Sequence, residues 1–419
     1  MRANEKAFVF YGIHILFYDN NFLVFSKEKC YFVIMKIILA TPVYPPEIGG
    51  PATYTKELCA HIAGTHNITV VAYTDSSIPF PGTVLVSVSK RERLIIRILK
   101  YIRALWVASR GADLIYVQST MAAGFPVAIV SMFLNVPFVL KFVGDEAWER
   151  ATQHRLTEKR LEDFFEKPEG NVKIRIMMVI QGFVLRRAAI VTTPSVYLSE
   201  VLIKKYNIRR DRIVVNYNAA EKTEKAPFAA QRVKYQIVTT ARLVAWKGID
   251  GIIKATSILK KKFPDVRLVV AGEGPELENL KKLAQETGVA DSVIFLGNIS
   301  RAETWHLRKN SEVYVLNSTY EGLPHTVLTS FAAQIPVVAT NISGTNEVVY
   351  HEKTGLLVKP GNDISLASAI ERLFIDSALS ERLVQGGTKI LNEKFSWQSH
   401  IKILDNIFKS VLAKPSNKF

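Results

Sequence analysis

The sequence predicts an α/β protein in which two doubly wound, Rossmann-like domains face each other across a cleft. The chain has 419 residues, more than one compact core usually holds. From Met35 onward, short apolar runs rich in β-branched residues alternate with longer amphipathic stretches. This alternation is typical of βαβ units with a parallel sheet. Hydrophobic residues make up 48% of the chain and charged residues 22%, which is typical of a folded protein.

Both halves of the chain carry predicted strands, several of them apolar on both faces as buried parallel strands require. In the first half they are Lys36–Ala40, Ile68–Tyr73, Asp113–Val117, Pro137–Phe142, Ala189–Thr193 and Ile213–Val215. In the second half they are Gln236–Thr240, Val266–Ala271, Val293–Leu296, Val313–Leu316 and Pro336–Ala339. Two such sheets predict ligand binding in the cleft, at the carboxyl ends of the strands.

A charged, proline-containing stretch at 221–231 interrupts the alternation and predicts a linker. We therefore expect one Rossmann-like domain over residues 35–220 and a second over residues 232–395. A helix predicted at about Trp397–Leu412 lies in the C-terminal segment, residues 396–419.

Residues 1–34 are aromatic-rich and do not match the pattern that follows. The apolar stretch Ala7–Phe17 is too short to span a bilayer. We expect Met35 to be the natural start, with residues 1–34 an upstream extension of uncertain order. The alternative is an anchor lying in the membrane interface.

The chain is strongly basic, with a formal net charge of +16. This charge favours anionic partners such as nucleotides, phosphates or an anionic membrane. No nucleic-acid-binding module is recognisable, so we expect no nucleic-acid partner. Cys30 and Cys59 form no C-x-x-C pair, so we expect neither a zinc site nor a disulfide framework.

Glycines follow the first strand, in the sequence Tyr44–Pro51. Gly49 and Gly50 allow the backbone to approach a ligand closely, and the N–H groups of the following helix can meet a phosphate. An ordinary tight turn between strand and helix is the alternative.

Two cations follow the first strand of the second half. Arg242 offers a planar fork for phosphate oxygens, and Lys247 adds a mobile positive charge. Such a pair suits a diphosphate leaving group, whereas the alternative is two solvated surface charges.

A third loop, Ser318–Thr326, follows the strand Val313–Leu316. Pro324 suits the first turn of a helix whose free N–H groups favour a diphosphate. Glu321 can accept hydrogen bonds from sugar hydroxyls. The alternative is a charge that merely lies beside a helix start.

Taken in this order, the motifs resemble those of the retaining glycosyltransferases of family 4, which have the GT-B fold. The resemblance runs from about Met35 to the C-terminus. It rests on the glycine pair, on the spacing of Arg242 and Lys247, and on four further segments: Gly272–Pro275, Glu321–Pro324, Pro336–Ala339 and Phe395–Trp397. In the family, the C-terminal helix crosses back to the first domain.

The resemblance implies that residues 35–220 form the acceptor-side domain and residues 232–395 the nucleotide-sugar-binding domain. It also implies a role for each matching residue. Arg242 and Lys247 would hold the nucleotide diphosphate, and Glu321 would bind the donor sugar. The remaining donor contacts would come from Gly49, Gly50, Gly272, Gly274, Asn298, Gly322, Leu323 and Pro324.

The sequence departs from the family pattern at two places. Thr329 stands eight positions after Glu321, where the family usually has a second Glu that binds the ribose. Asp145 stands where many members have a His; it could bind a donor or acceptor hydroxyl, and the alternative is a helix N-cap.

There is no D-x-D triplet and no metal-ligand spacing. The resemblance therefore implies a metal-independent transfer without cofactors, with retention at the anomeric carbon. Cations and helix dipoles would replace a divalent ion.

The segment Arg91–Arg110 contains six basic residues and one acidic residue, with an apolar stripe over Leu94, Ile98, Ile102, Leu105 and Trp106. Such a helix can lie on an anionic membrane, and Ile174–Arg187 is a second candidate. A surface helix packed on the sheet is the alternative. We accordingly expect a cytoplasmic protein, with peripheral contact at the inner face of the membrane left open.

The expected activity is transfer of a hexose-type sugar from a nucleotide sugar to a glycan, lipid-linked or small-molecule acceptor. A nucleotide-sugar epimerase of similar architecture is one alternative, and a degenerate, non-catalytic binding subunit is another. Thr329 is the only residue that favours the last.

Overall fold

The chain contains two parallel sheets, and each corresponds to one of the two runs of strands predicted from the sequence. The computed structural model describes residues 6–10, 13–18, 21–25, 34–47, 49–220 and 232–413. The predicted linker at 221–231 lies outside the described residues. Part of the N-terminal extension is described as an antiparallel sheet of three strands, in the order β1 (Lys6–Phe10), β2 (Ile13–Tyr18) and β3 (Asn21–Phe25).

The first parallel sheet belongs to the first domain and has the order β10-β9-β8-β7-β4-β5-β6. Its central strands are buried on both faces, as their apolar sequences predict. The strands are β4 (Lys36–Thr41), β5 (Asn67–Tyr73), β6 (Thr83–Val88), β7 (Leu114–Gln118), β8 (Phe138–Lys141), β9 (Ile190–Thr193) and β10 (Ile213–Val215). The helices are α1 (Gly50–Ile62), α2 (Leu94–Ala108), α3 (Gly124–Leu134), α4 (Glu146–Gln153), α5 (Leu161–Glu166), α6 (Val172–Arg187) and α7 (Val196–Tyr206).

The second parallel sheet has the order β13-β12-β11-β14-β15-β16. Successive strands are added outward from β11 on one side and from β14 on the other, so the strand order switches between these two neighbours. Ligands of doubly wound sheets bind at such a switch point. The strands are β11 (Gln236–Thr240), β12 (Arg267–Ala271), β13 (Val293–Gly297), β14 (Val313–Leu316), β15 (Val337–Thr340) and β16 (Leu356–Val358). The helices are α8 (Ile249–Lys260), α9 (Leu277–Glu286), α10 (Arg301–Asn310), α11 (His325–Ala332), α12 (Asp363–Ile375), α13 (Ser377–Lys394) and α14 (Trp397–Ala413).

Helix α14 returns to the first domain, as the resemblance implied. Its residues Trp397, Leu404 and Phe408 are buried in one cluster with Ile37 and Leu39 of β4. The two-domain α/β fold, including this crossing helix, is therefore confirmed.

Polar contacts close one side of the cleft between the domains. Arg155 of the first domain pairs with Glu276 of the second at 3.0 Å. Glu347 of the second domain accepts hydrogen bonds from the backbone N–H groups of Val196 and Tyr197 at 2.8 and 2.9 Å. The first contact joins the segment after α4 to the loop after β12, and the second joins the start of α7 to the loop after β15. Among the described residues, every helix is too short or too polar to cross a bilayer.

Candidate functional site

A cavity of about 460 Å³ opens at the carboxyl ends of β11, β12 and β13. It brings together three residues that the sequence analysis singled out, Arg242, Gly272 and Asn298, with Thr326 at the start of α11. Arg242 is exposed. Its guanidinium makes no hydrogen bond or ion pair with the described part of the chain, so it is free to take an anionic ligand.

The glycines of Gly272–Pro275 are needed for the packing of two loops. Gly272 has a φ of +131°, and a Cβ there would lie 1.9 Å from the carbonyl oxygen of Ala241. A Cβ on Gly274 would lie 2.2 Å from the carbonyl oxygen of Leu243. Ala241 and Leu243 flank Arg242 in the loop after β11. The two glycines therefore allow the loop after β12 to pack closely against the backbone that carries Arg242.

Lys247 and Glu321 form an ion pair that joins the two loops after β11 and β14. The Lys247 Nζ to Glu321 Oε1 distance is 2.7 Å, and the Ser318 hydroxyl donates to the same carboxylate oxygen at 2.7 Å. Only 8% of Glu321 is exposed. Burial with two donors holds this carboxylate in one orientation, as a group that binds sugar hydroxyls requires.

The segment after Glu321 lies against the first domain. Pro324 is the N-cap of α11, so the free N–H groups of this helix begin beside Glu321. A Cβ on Gly322 would lie 2.8 Å from the carbonyl oxygen of Val143 in the loop after β8. Gly322 thus lets the first domain approach, while the neighbouring Leu323 is buried in the core of the second.

Gly49 and Gly50 stand at the start of α1, after the carboxyl end of β4 in the first domain. A Cβ on Gly50 would meet no protein atom within 4 Å, and one on Gly49 would make only ordinary contacts with Val43 and Pro51. Protein packing therefore does not require glycine at either position. The space beside them remains open to a ligand, which is consistent with the role that the resemblance implied.

Asp145 is better explained as a helix N-cap than as a sugar ligand. Its side chain is fully buried and accepts a hydrogen bond from the N–H of Trp148 at 2.8 Å. Its second oxygen accepts from Gln181 Nε2 at 2.6 Å and from the hydroxyl of Tyr206. Because these three donors occupy both oxygens inside the first domain, the geometry favours the N-cap alternative over a contact of Asp145 with a donor or acceptor hydroxyl.

Glu149, which the sequence analysis passed over, lies nearer the two cations. The pKa of its carboxyl is raised to about 7: burial contributes most, the charges of Glu146 and Asp145 add to the rise, and Lys247 and Arg242 act in the opposite direction. Since those two cations belong to the second domain, only the closure of the domains brings them beside Glu149. The sequence could place Glu149 in the first turn of a helix, but it could not show that Lys247 and Arg242 lie close to it.

Thr329 lies on α11 with its hydroxyl turned to its own helix. It donates to the carbonyl oxygens of His325 at 3.2 Å and Thr326 at 3.0 Å. Thr326, one turn earlier, is the α11 residue that lines the cavity at β11. A longer side chain at position 329 would extend from the helix face that Thr326 shares.

Each half of the chain matches a family model of glycosyl transferases. The model of the glycosyl transferases group 1 matches residues 220–390, and that of the glycosyl transferase 4-like domain matches residues 49–219. The chain is 30% identical over 216 residues to the lipopolysaccharide core biosynthesis glycosyltransferase LpsD of Rhizobium meliloti, covering 51% of this chain and 61% of that protein. It is 26% identical over 301 residues to the alpha-D-kanosaminyltransferase of Streptomyces kanamyceticus, covering 69% and 75%.

An uncharacterized glycosyltransferase of Methanocaldococcus jannaschii is 29% identical over 232 residues, covering 52% of this chain and 59% of that protein. The chain thus spans about three fifths of this protein and of LpsD. Among solved structures, Anabaena HepE in complex with UDP and glucose matches with a TM-score of 0.71 at 18% identity, over 90% of this chain and 100% of that one. The sucrose-phosphate synthase of Thermosynechococcus elongatus matches with a TM-score of 0.71 at 19% identity, over 90% and 99%. At these identities the structural matches support the fold alone.

Proposed function

The chain belongs to the family of group 1 glycosyl transferases, and from this premise we propose that it moves a hexose-type sugar from a nucleoside-diphosphate sugar to an acceptor hydroxyl. The acceptor would be a glycan, a lipid-linked saccharide or a small molecule. One observation carries the proposal: Arg242, Lys247 and Glu321 lie on the loops after β11 and β14, on either side of the switch point of the second sheet, where Lys247 and Glu321 are paired and Arg242 lines a cavity.

The geometry suits the departure of a diphosphate. Arg242 and Lys247 would stabilise the negative charge that develops on the leaving group, and the N–H groups at the start of α11 would add to this field. Glu321, held by Lys247 and Ser318, would accept hydrogen bonds from the hydroxyls of the transferred sugar. In the family that the sequence resembles, this chemistry keeps the anomeric configuration, and we propose the same here.

A nucleotide-release assay with a panel of nucleotide sugars tests the proposal. A transferase releases the nucleoside diphosphate at a rate that rises with acceptor, and the product retains the donor's anomeric configuration. An epimerase would interconvert the donor without net release, and a non-catalytic subunit would bind the nucleotide without turnover. Either of these outcomes would replace the proposed activity.

We predict that the transfer needs no divalent metal. Two cations already face the site, and the described residues include no cluster of three or more His, Cys, Asp or Glu side chains that could hold a metal ion. Treatment with EDTA should leave the rate within about twofold of its starting value. A collapse of the rate that magnesium or manganese restores would contradict this prediction.

Thr329→Glu should tighten nucleotide binding severalfold. A neutral hydrogen bond is worth about half of a charge-assisted one, so a carboxylate near the ribose would add about 1 kcal/mol. The maximal rate should change little, because the ribose is remote from the reacting carbon. Calorimetric titration with nucleotide measures the effect, and Thr329→Gln, of similar length but uncharged, is the control. Weaker binding in Thr329→Glu, with the domain still folded, would mean that another group holds the ribose.

We also propose that the first domain rests on an anionic membrane through one face, the α2–α3–α6 surface. Helix α2 packs against α3, and α3 against α6. The surface exposes large apolar side chains on all three helices: Leu94, Ile95, Ile96, Leu99, Val107, Met132, Phe133, Val172, Ile176 and Val179. Exposed basic side chains lie among them: Arg93, Lys100, Arg103, Lys173 and Arg175.

The apolar stripe predicted for α2 explains only part of this surface. Leu105 is buried against the sheet, and Ile98, Ile102 and Trp106 are half-buried, so they belong to the packing face. Leu94 of the same stripe is exposed. Apolar and basic side chains together on an outward face are typical of helices that lie in the interface of an anionic bilayer. Such contact would place the cleft beside lipid-linked acceptors and would require a cytoplasmic location.

A further inference from the structure

Glu149 lies where the first domain closes on the loops of the proposed donor site. It stands in the first turn of α4, next to Trp148. The Trp148 ring packs 5.9 Å from that of Trp246 and 4.5 Å from that of Tyr320, as measured between ring centroids. Trp246 precedes Lys247 and Tyr320 precedes Glu321, so α4 is packed against the loops that carry the charged pair.

Two polar groups at this contact have no partner in the described part of the chain. The carboxyl of Glu149 accepts no hydrogen bond there, and the buried hydroxyl of Tyr320 makes none. A Cβ on Gly144 would lie 2.3 Å from Glu149 Oε1 and 3.7 Å from the Tyr320 hydroxyl. The carboxyl and the hydroxyl therefore lie no more than about 6 Å from each other, beside Gly144.

The charges that face Glu149 come from both domains. Asp145 and Glu146 on its own helix disfavour the ionised carboxylate, as burial does most strongly. Across the cleft, Lys247 and Arg242 favour it, but Lys247 is already paired with Glu321. The balance puts the pKa of Glu149 at about 7, so the carboxyl is half ionised near neutral pH.

A nucleotide sugar would change that balance, because its diphosphate brings two negative charges to Arg242 and Lys247. An ionised Glu149 would compete with the diphosphate for the same cations. A neutral Glu149 would remove the repulsion and would offer an O–H donor to a phosphate oxygen.

We propose that Glu149 is a further donor-binding residue, which holds the diphosphate while its own carboxyl is protonated, so that a Glu149 carboxylate that is ionised in the free enzyme takes up one proton from solvent when the nucleotide sugar binds. This inference rests on the proposed function, since it requires a nucleotide sugar at Arg242 and Lys247. It concerns a residue of the first domain, and it makes donor affinity a function of both pH and domain closure.

Because donor binding is coupled to protonation of Glu149, the direction in which donor affinity changes with pH is determined. Below the pKa of the free enzyme, Glu149 is already protonated and affinity is independent of pH. Above it, a proton must be taken up on binding, so affinity falls about tenfold for each pH unit. Between about pH 6 and about pH 8.5, the dissociation constant should rise about 30-fold.

Calorimetric titration of the full chain with UDP-glucose and with GDP-mannose tests this. The diphosphate of either compound does not titrate in this range, so a pH effect belongs to the protein. For wild type we expect the rise in dissociation constant given above. Glu149→Gln keeps the shape of the side chain and removes its titration. For this variant we expect a dissociation constant that changes by no more than about twofold over the same pH range. Glu158→Gln, which removes an exposed carboxylate from the loop after α4, should behave like wild type.

Proton uptake provides a measurement that needs no variant. Repeating the wild-type titration at about pH 8 in buffers of different ionisation enthalpy should give about one proton taken up per nucleotide sugar. No uptake, or an equal pH dependence in wild type and Glu149→Gln, would overturn the inference. If wild type bound neither nucleotide sugar at any pH, the proposed function itself would fail, which is a different outcome.

Discussion

Replacing Arg242 with alanine is expected to lower kcat/KM about tenfold or more with any donor that the wild type uses. The guanidinium lines the cavity at β11 and makes no ion pair within the described residues. Its loss would therefore remove a charge-assisted contact with the diphosphate, worth about 1.5–3 kcal/mol. Because the side chain is exposed and supports nothing else, the melting temperature should not change.

Lys247→Ala should lower kcat/KM at least as much and should also cost stability. Lys247 is one of two donors to the buried carboxylate of Glu321, and its removal would leave that carboxylate with only the Ser318 hydroxyl. An incompletely paired buried carboxylate costs about 1–3 kcal/mol. Kinetics and thermal unfolding together should thus separate two cations that look equivalent in the sequence.

Two substitutions away from the cleft serve as controls. Arg267 is exposed at the amino end of β12, whereas the cavity lies at the carboxyl ends of the strands. Lys261 is exposed just after α8. Arg267→Ala and Lys261→Ala remove the same charges from the same domain and should keep normal turnover. If Arg242→Ala and Lys247→Ala also kept near-normal turnover, the diphosphate would bind elsewhere.

The sequence predicted the buried strands well because their signal is local. Ile213–Val215, Gln236–Thr240 and Val313–Leu316 match their predicted bounds, and the other predicted strands differ by one residue at one or both ends. Besides the three strands of the N-terminal extension, two strands of the parallel sheets were missed, for physical reasons. The strand Thr83–Val88 is an edge strand with several partly exposed residues, and Leu356–Val358 is an edge strand of only three residues. Neither shows the continuous apolar run of a central strand.

The candidate site shows the limit of sequence patterns more sharply. Arg242, Lys247 and Glu321 follow strand ends, and strand ends of one sheet meet at one edge, so their proximity could be inferred. Asp145 and Glu149 belong to the same loop and helix, and the sequence could not tell which of them faces the cleft. That choice depends on Gln181 and Tyr206, which hold Asp145 from distant helices, and on the closure that brings Lys247 to Glu149.

The α2–α3–α6 surface leads to the other large expected effect. Ile95 and Leu99 are 73% and 60% exposed and lie one turn apart on α2. Full burial of such a side chain is worth about 1.5–3 kcal/mol, so the double variant Ile95→Glu/Leu99→Glu should reduce vesicle binding by at least about tenfold. The new carboxylates would also be repelled by anionic lipid. Cosedimentation with vesicles of phosphatidylcholine and phosphatidylserine measures the binding. Folding should be unaffected, because neither side chain is part of the core.

The matched control lies in the second domain. Ile364 and Ile375 of α12 are 70% and 63% exposed, close to the values for Ile95 and Leu99. Ile364→Glu/Ile375→Glu adds the same charge and removes a similar apolar area, but on a face without the basic side chains of α2. This variant should bind vesicles as wild type does, and binding of wild type should weaken with salt because the basic side chains contribute through a screened attraction. If the two double variants bound equally, or if wild type did not bind the anionic vesicles, the α2–α3–α6 surface would not be a membrane contact. Its apolar side chains would then have to be explained by a protein partner.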